Sequence, residues 1–342
     1  MAESNADPEA QWLSEAQQGD EAAFERLVQR YRGELHAHCY RMLGSVQDAE
    51  DALQETLLGA WRGLSGFAGR SSLRAWLYRV ATNACLRLSS RRPRRMLSFE
   101  HGPACSDPHD LGEPVAGPVW LEPWPAGPDG DEDLDPAAAC LRRESVELAF
   151  VAALQHLPGT QRAVLILREV LGFTAAEAAG ILETTPASVN SALQRARAAV
   201  ARRAPERTQQ AELAALGPGG CRDLVDAFVS AWERADVPAL LELLTEDVRF
   251  TMPPLPAWFD GRAHVGRFLG ERVFATPWRV VPLTANEQPA LACYQHDGER
   301  YRPGAVTVLN LRGGRICWIA GFVDPALHRS FPVPAEFSLP HR

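Results

Sequence analysis

Apolar residues recur at three- and four-residue intervals over residues 19–88 and again over 145–204, the spacing that lays one apolar stripe along an α-helix. Two helical modules are therefore predicted. In the first, a helix over 48–61 turns Ala49, Leu53, Leu57 and Ala60 inward and leaves Asp48, Asp51, Glu55, Leu58 and Arg62 on one outward stripe. A second helix over 73–88 buries Leu73, Leu77, Val80, Ala84 and Leu88, while Trp76, Arg79, Asn83 and Arg87 line its flank. In the other module Thr174 and Glu177 form a capping box ahead of Ala178, Ala179, Ile181 and Leu182. Glu183 and Thr184 fill a tight turn, and Thr185 with Pro186 starts a further helix to about Val200. Its buried stripe is Val189, Leu193, Ala196 and Val200. Ala187, Ser191, Gln194 and Arg195 project opposite, with Ser188 and Asn190 near the N-terminal end. Two short helices joined by such a turn make a helix-turn-helix.

Past Gly217, Pro218, Gly219 and Gly220 the periodicity changes. A helical stretch over 222–244, interrupted near Pro238, leads into short β-rich runs at 248–252, 279–283, 290–295, 306–311 and 316–322, with a helical piece at 264–269. This predicts an α+β domain of about 110 residues. Between the helical modules, residues 100–139 hold eight Pro, five Gly and ten carboxylates, a composition that buries too little apolar surface to fold alone. The expected domains are thus 1–99, a linker at 100–139, 140–215 and 216–342.

Composition adds little until it is divided along the chain. With 46% hydrophobic and 23% charged residues the 342-residue protein is globular, and the net charge of -8 argues against a nucleic-acid partner. Yet residues 100–139 contain no base and supply that whole imbalance, leaving both helical modules slightly positive. Every one of the 35 basic residues is Arg, the side chain suited to bidentate phosphate and base contacts. No apolar run approaches the ~20 residues of a membrane helix, and residues 1–18 lack a signal-peptide pattern, so a cytoplasmic protein with no membrane partner is expected. Seven cysteines without a C-x-x-C pair read as reduced, mostly buried thiols. His36, His38 and Cys39 do not make a metal site, because i and i+2 residues point about 200° apart on a helix; neither metal nor cofactor is expected.

Residues 56–99 carry nine Arg and no acid, with Trp61, Phe67, Trp76 and Tyr78 interleaved. Aromatic faces beside guanidiniums and an amide can stack an unpaired base while holding phosphate. The preceding turn, with Gly66, Gly69, Arg70, Ser71 and Ser72, is flexible enough to cup a flipped base. Arg195, Arg197, Arg202 and Arg203 add phosphate contacts to the helix-turn-helix. A duplex reader and a strand reader on one chain imply recognition of a promoter in two parts, with melting at one.

Four segments carry a resemblance: Gly19-Asp-Glu-Ala-Ala-Phe24, Gln47-Asp-Ala-Glu-Asp-Ala-Leu-Gln-Glu55, Ser72-Leu-Arg-Ala-Trp-Leu-Tyr-Arg-Val-Ala-Thr-Asn83 and Ser188-Val-Asn-Ser-Ala-Leu-Gln-Arg-Ala-Arg197. In this order they resemble regions two and four of bacterial sigma factors of the extracytoplasmic-function group. The resemblance implies RNA polymerase core and promoter DNA as partners. It matches the 48–61 helix, with Asp48, Asp51, Glu55 and Leu58, to the segment gripping the β′ clamp coiled coil, and implies a second contact with the β flap. It assigns Arg70, Ser71, Arg74, Trp76, Arg79, Asn83 and Arg87 to opening and reading the -10 element. Ala187, Ser188, Asn190, Ser191, Gln194, Arg195 and Arg197 fall to the -35 duplex. The group often has Lys and Arg in this recognition helix; here Asn190 and Ala192 imply fewer phosphate contacts and a different base preference.

Residues 222–334 resemble the SnoaL-like cone, an α+β barrel in which Phe250, Met252, Trp258, Phe259, Phe268, Trp278, Tyr294, Trp318 and Phe322 would form core and pocket wall. The implied fold is two all-α modules, the second a helix-turn-helix, plus this C-terminal α+β domain. Asp260 and His264 at i, i+4 are the most tempting acid/base pair, but one such spacing is common by chance and surface solvation explains it better; no catalytic residue is assigned. A small ligand in the cone is a further expectation. The linker motif Trp120, Leu121, Glu122, Pro123 and Trp124 is similar to a Trp/Pro motif in sigma factors carrying this extra domain, in which that domain tunes sigma activity. Two Trp amid acidic chain are expected to dock somewhere. The ten linker carboxylates are expected to compete with DNA for the Arg62 to Arg95 patch.

Two rival readings remain at this level. A SnoaL-like enzyme with DNA-binding appendages would lose turnover in Asp260→Asn. A ligand-responsive one-component regulator would bind duplex without RNA polymerase and leaves the strand-reading flank unexplained.

Overall fold

Helices α1 (Pro8–Gln17), α2 (Glu21–Leu43), α3 (Val46–Gly63) and α4 (Leu73–Ser89) open the computed structural model, which describes residues 8–125 and 143–338. Each of the last three starts on a side-chain cap: Asp20 accepts from the Ala23 amide, Ser45 from Asp48 and Ser72 from Ala75. Gly44, at φ 69°, ends α2 in the left-handed conformation that glycine adopts without strain. Leu27, Leu35, Cys39, Leu53, Leu77, Tyr78 and Cys85 are buried between these helices. His38 belongs to the same core. Its Nε2 meets Thr82 Oγ1 at 3.0 Å, and burial, then Arg41 and Arg74, lower its pKa to about 3, so the ring is neutral. His36 pairs with Glu50 instead.

After the one-turn α5 (Ser98–His101) come α6 (Leu148–Gln155), α7 (Gly159–Leu165) and a wide π turn at Ile166–Val170, then α8 (Ala175–Ile181) and α9 (Pro186–Ala201). The expected caps are in place: Thr174 with Glu177 on α8, Thr185 with Pro186 on α9. Residues 8–94 and 153–204 form one compact unit, so the two helical modules pack as one body. Residues 95–125, 143–152 and 205–338 form another.

The second unit holds α10 (Gln209–Glu233), α11 (Val237–Glu242), β1 (Leu244–Thr251), β2 (Trp258–Asp260), α12 (Gly261–Glu271), β3 (Trp278–Ala285), β4 (Gln288–His296), β5 (Arg300–Arg312), β6 (Arg315–Phe322) and β7 (Phe337–Ser338). The sheet runs β2-β1-β6-β5-β4-β3, with β7 added to β5. Only β1 and β6 pair parallel among the described strands. Helices α10, α11 and α12 cover a core of Phe228, Trp232, Phe250, Phe259, Phe268, Leu309 and Ile319. Trp278 is only half-buried at the edge of this core. The Gly217–Gly220 run does not mark a boundary. Helix α10 is already under way at Gln209; Gly217, at φ 74°, kinks it, and Pro218 begins the next helical segment, where a missing N–H costs nothing.

The described part of the linker, up to residue 125, is structured, and its two Trp dock as expected. Trp120, Leu121 and Trp124 are buried. Trp120 bridges to Met96, its indole donates to the Val115 carbonyl at 3.2 Å, and the Trp120 carbonyl accepts from Arg95 at 3.0 Å. Trp258 donates to the Gly102 carbonyl and accepts, through its own carbonyl, from the Cys105 amide. Too apolar-poor to fold alone, this strap borrows the surface of the α+β domain. Asn286 fastens it: the side chain accepts from the Trp124 amide at 2.9 Å and donates to the Val146 carbonyl at 2.7 Å, while its backbone N–H donates to the Trp124 carbonyl. Five of the ten linker carboxylates, beginning with Asp129, lie outside the described residues. Of the others, Glu100 accepts from the Leu97 amide and Glu122 pairs with Arg95.

Glu147, just before α6, caps the start of α10. Its carboxylate, 3% exposed as a residue, accepts from the Gln209 and Gln210 amides at 2.9 and 2.8 Å. Burial raises its pKa to about 7, against the two amide bonds that lower it. With the folded value above the unfolded 4.5, the proton stabilises the fold at low pH, and this contribution disappears as pH rises from about 4.5 through 7. Glu147→Gln should flatten that part of the stability curve, which spans on the order of 3 kcal/mol. Urea midpoints of both proteins at pH 4.5–8 measure it; parallel profiles would contradict the assignment.

Candidate nucleic-acid and polymerase interfaces

The turn after α3 is a 3₁₀ segment, Leu64–Gly66, followed by Gly69 at φ 67°, and it leaves Arg70 and Ser71 exposed. Trp76 stands over this turn, half-buried, its ring 5.3 Å from that of Phe67 and close enough to Gly63 that a Cβ there would lie 3.3 Å away. Arg79 and Arg87 are exposed and Asn83 half-buried on the same edge of α4, so the four flank residues are aligned as the periodicity implied. The turn, Trp76 and Arg79 border a cavity of about 700 Å³ that α8 also lines, through Ala176, Glu177, Gly180 and Ile181.

Arg74 departs from this edge. It pairs with Glu34 at 3.2 Å, lies 5.1 Å from the Tyr78 ring centroid and 4.7 Å from that of Phe173, and donates to the Leu171 carbonyl. Its guanidinium is spent on packing. Other arginines of the patch are also paired within their own unit: Arg79 with Glu183, Arg87 with Glu55 and Arg92 with Asp48.

That last pair corrects the acidic stripe. Asp48 is 2% exposed beneath Arg92 and does not face outward; sequence spacing could not reveal a partner 44 residues away. Asp51, Glu55 and Leu58 remain exposed on α3, and Leu58, at 56%, is the exposed large hydrophobic residue of the described chain. On α9, Ala187, Ser188, Asn190, Ser191, Gln194, Arg195 and Arg197 are all exposed, over a buried stripe of Val189, Ala192, Leu193, Ala196 and Val200. Arg197 pairs with Glu169.

In the α+β unit, Asp260 and His264 are exposed. The imidazole Nδ1 meets the Asp260 backbone carbonyl at 2.9 Å, and the Asp260 carboxylate lies 3.7 Å from Arg249, so the two side chains do not face each other or the core. Among the described residues no cluster of His, Cys, Asp or Glu could hold a metal ion, and no helix is long and apolar enough to cross a membrane.

A helix-turn-helix with an exposed polar face on α9, packed in one body with the Arg- and Trp-edged α4 and the Leu58-bearing α3, is the domain arrangement of a sigma-type transcription protein. Residues 27–95 match sigma-70 region 2, residues 147–200 match sigma-70 region 4 and residues 225–319 match the SnoaL-like domain. Over 314 residues the chain is 41% identical to the ECF RNA polymerase sigma factor SigG of Mycobacterium tuberculosis, covering 91% of this chain and 84% of that protein. The RNA polymerase sigma-H factor of Pseudomonas aeruginosa is 28% identical over 190 residues, 56% of this chain and 90% of its own. The crystal structure of the M. tuberculosis extracytoplasmic function sigma factor SigJ shares the fold, with a TM-score of 0.57 at 22% identity over 90% of this chain and 100% of that one. The chain belongs to the ECF RNA polymerase sigma factors.

Proposed function

We propose that this chain carries core RNA polymerase to promoters in the cytoplasm and opens them there. The exposed α3 stripe of Asp51, Glu55 and Leu58 meets the β′ clamp coiled coil, and the helix-turn-helix module meets the β flap. The α9 face reads duplex at the -35 element, while the Gly66 to Ser72 turn with Trp76, Arg79, Asn83 and Arg87 takes an unpaired base and its phosphates at the -10 element. The observation that carries this reading is the alignment of Trp76, Arg79, Asn83 and Arg87 on one edge of α4, with Trp76 and Arg79 lining a cavity roomy enough to admit a base. The α+β domain regulates and does not catalyse, in keeping with the outward placement of Asp260 and His264. Its burial of Trp120 and Trp124 favours the strap over a small ligand as its regulatory contact.

Transcription from a pooled genomic library by purified core polymerase, with and without the full chain, tests this. Start sites that depend on the chain support it; their absence overturns it. Leu58→Asp should cost about 2 kcal/mol of core affinity, roughly thirtyfold, because an apolar anchor is replaced by a charge in a desolvated contact. Co-sedimentation with core measures this, and an unchanged melting temperature separates it from misfolding.

A further inference from the structure

The strand-reading edge of α4 is occupied in this structure by another part of the chain. Ala176, Glu177, Gly180 and Ile181 of α8 line the cup together with Trp76 and Arg70. Glu183, in the turn between α8 and α9, sits at φ 53°, a left-handed conformation rare outside glycine, and its carboxylate pairs with Arg79. Phe173, just before α8, meets Tyr78 edge-on at 5.3 Å and lies under Arg74. The contact is therefore built from several residues of α4. It is also reversible in character, since Arg79 and Glu183 side chains are 47% and 62% exposed and such pairs are weak.

We propose that Glu183 and α8 act as an internal stand-in for the -10 strand: the carboxylate takes the place of a DNA phosphate on Arg79, and the first helix of the helix-turn-helix closes the base cup. This deepens the strand-reading assignment and rests on it. The α9 face stays exposed in the closed state, so duplex recognition precedes strand capture, and the captured strand displaces Glu183.

The test uses the full-length chain and a short fluorescein-labelled DNA single strand of randomised sequence, followed by anisotropy at low salt. Glu183→Gln should bind about fivefold more tightly than wild type, the scale of one exposed ion pair. The gain should vanish in an Arg79→Gln background, where no pair exists to release, and all binding above background should require Trp76. Equal, Trp76-dependent binding by wild type and Glu183→Gln would overturn the competition and leave strand reading standing. Binding that ignores Trp76→Ala in every background would overturn both.

Discussion

Replacing Trp76 with alanine lowers promoter opening by the holoenzyme from about fivefold to more than a hundredfold, the range expected when a base loses an aromatic platform worth about 1–3 kcal/mol. The loss falls on the melting step. Duplex binding through α9 is unchanged, since no α9 residue borders the Trp76 cavity. Trp76→Phe keeps a stacking face and the packing on Phe67, and should recover most of the rate. Abortive initiation rates, paired with binding to a duplex that includes only the upstream element, separate these outcomes. If Trp76→Ala weakens duplex binding as much as opening, the residue props up the fold instead of holding a base.

Arg162→Met destabilises the two-module unit by about 3 kcal/mol. The guanidinium is buried, and burial lowers its pKa to about 10, so it stays charged at neutral pH. It donates to the carbonyls of Leu154, Gln155 and Leu157 at 2.9, 3.1 and 3.2 Å, to Gln155 Oε1 at 2.8 Å, and to the Met42 carbonyl near the end of α2. Met matches the stem of the side chain and supplies no donor, so several buried acceptors lose their partner at about 1–3 kcal/mol each before relaxation. A drop in the urea midpoint of that size checks the value. A neutral result would mean that water replaces the guanidinium.

Much of this was legible in the chain before any coordinates. Local signals did the work: Ser72, Thr174 with Glu177, and Thr185 with Pro186 each cap the helix they announce, and the α4 and α9 faces follow from periodicity alone. What escaped depends on partners distant in sequence. Asp48 reads as a surface carboxylate until Arg92 covers it, and Arg74 as a free cation until Glu34 and Phe173 claim it. Glu183 gives no warning, because a left-handed backbone leaves no trace in residue type when the residue is not glycine or asparagine. The strap is legible only in part: its two Trp imply docking, and both are buried, but a composition that forbids independent folding does not name the neighbour it folds on.

Asn286 has a topological consequence. Because one amide grips both Trp124 and Val146, two points well apart in sequence share a single clasp. Lengthening the chain between two fixed points is cheap, about 0.6 kcal/mol for each doubling. A tag inserted between the two clasped points should therefore leave the tryptophans on one side and Glu147 on the other in their seats.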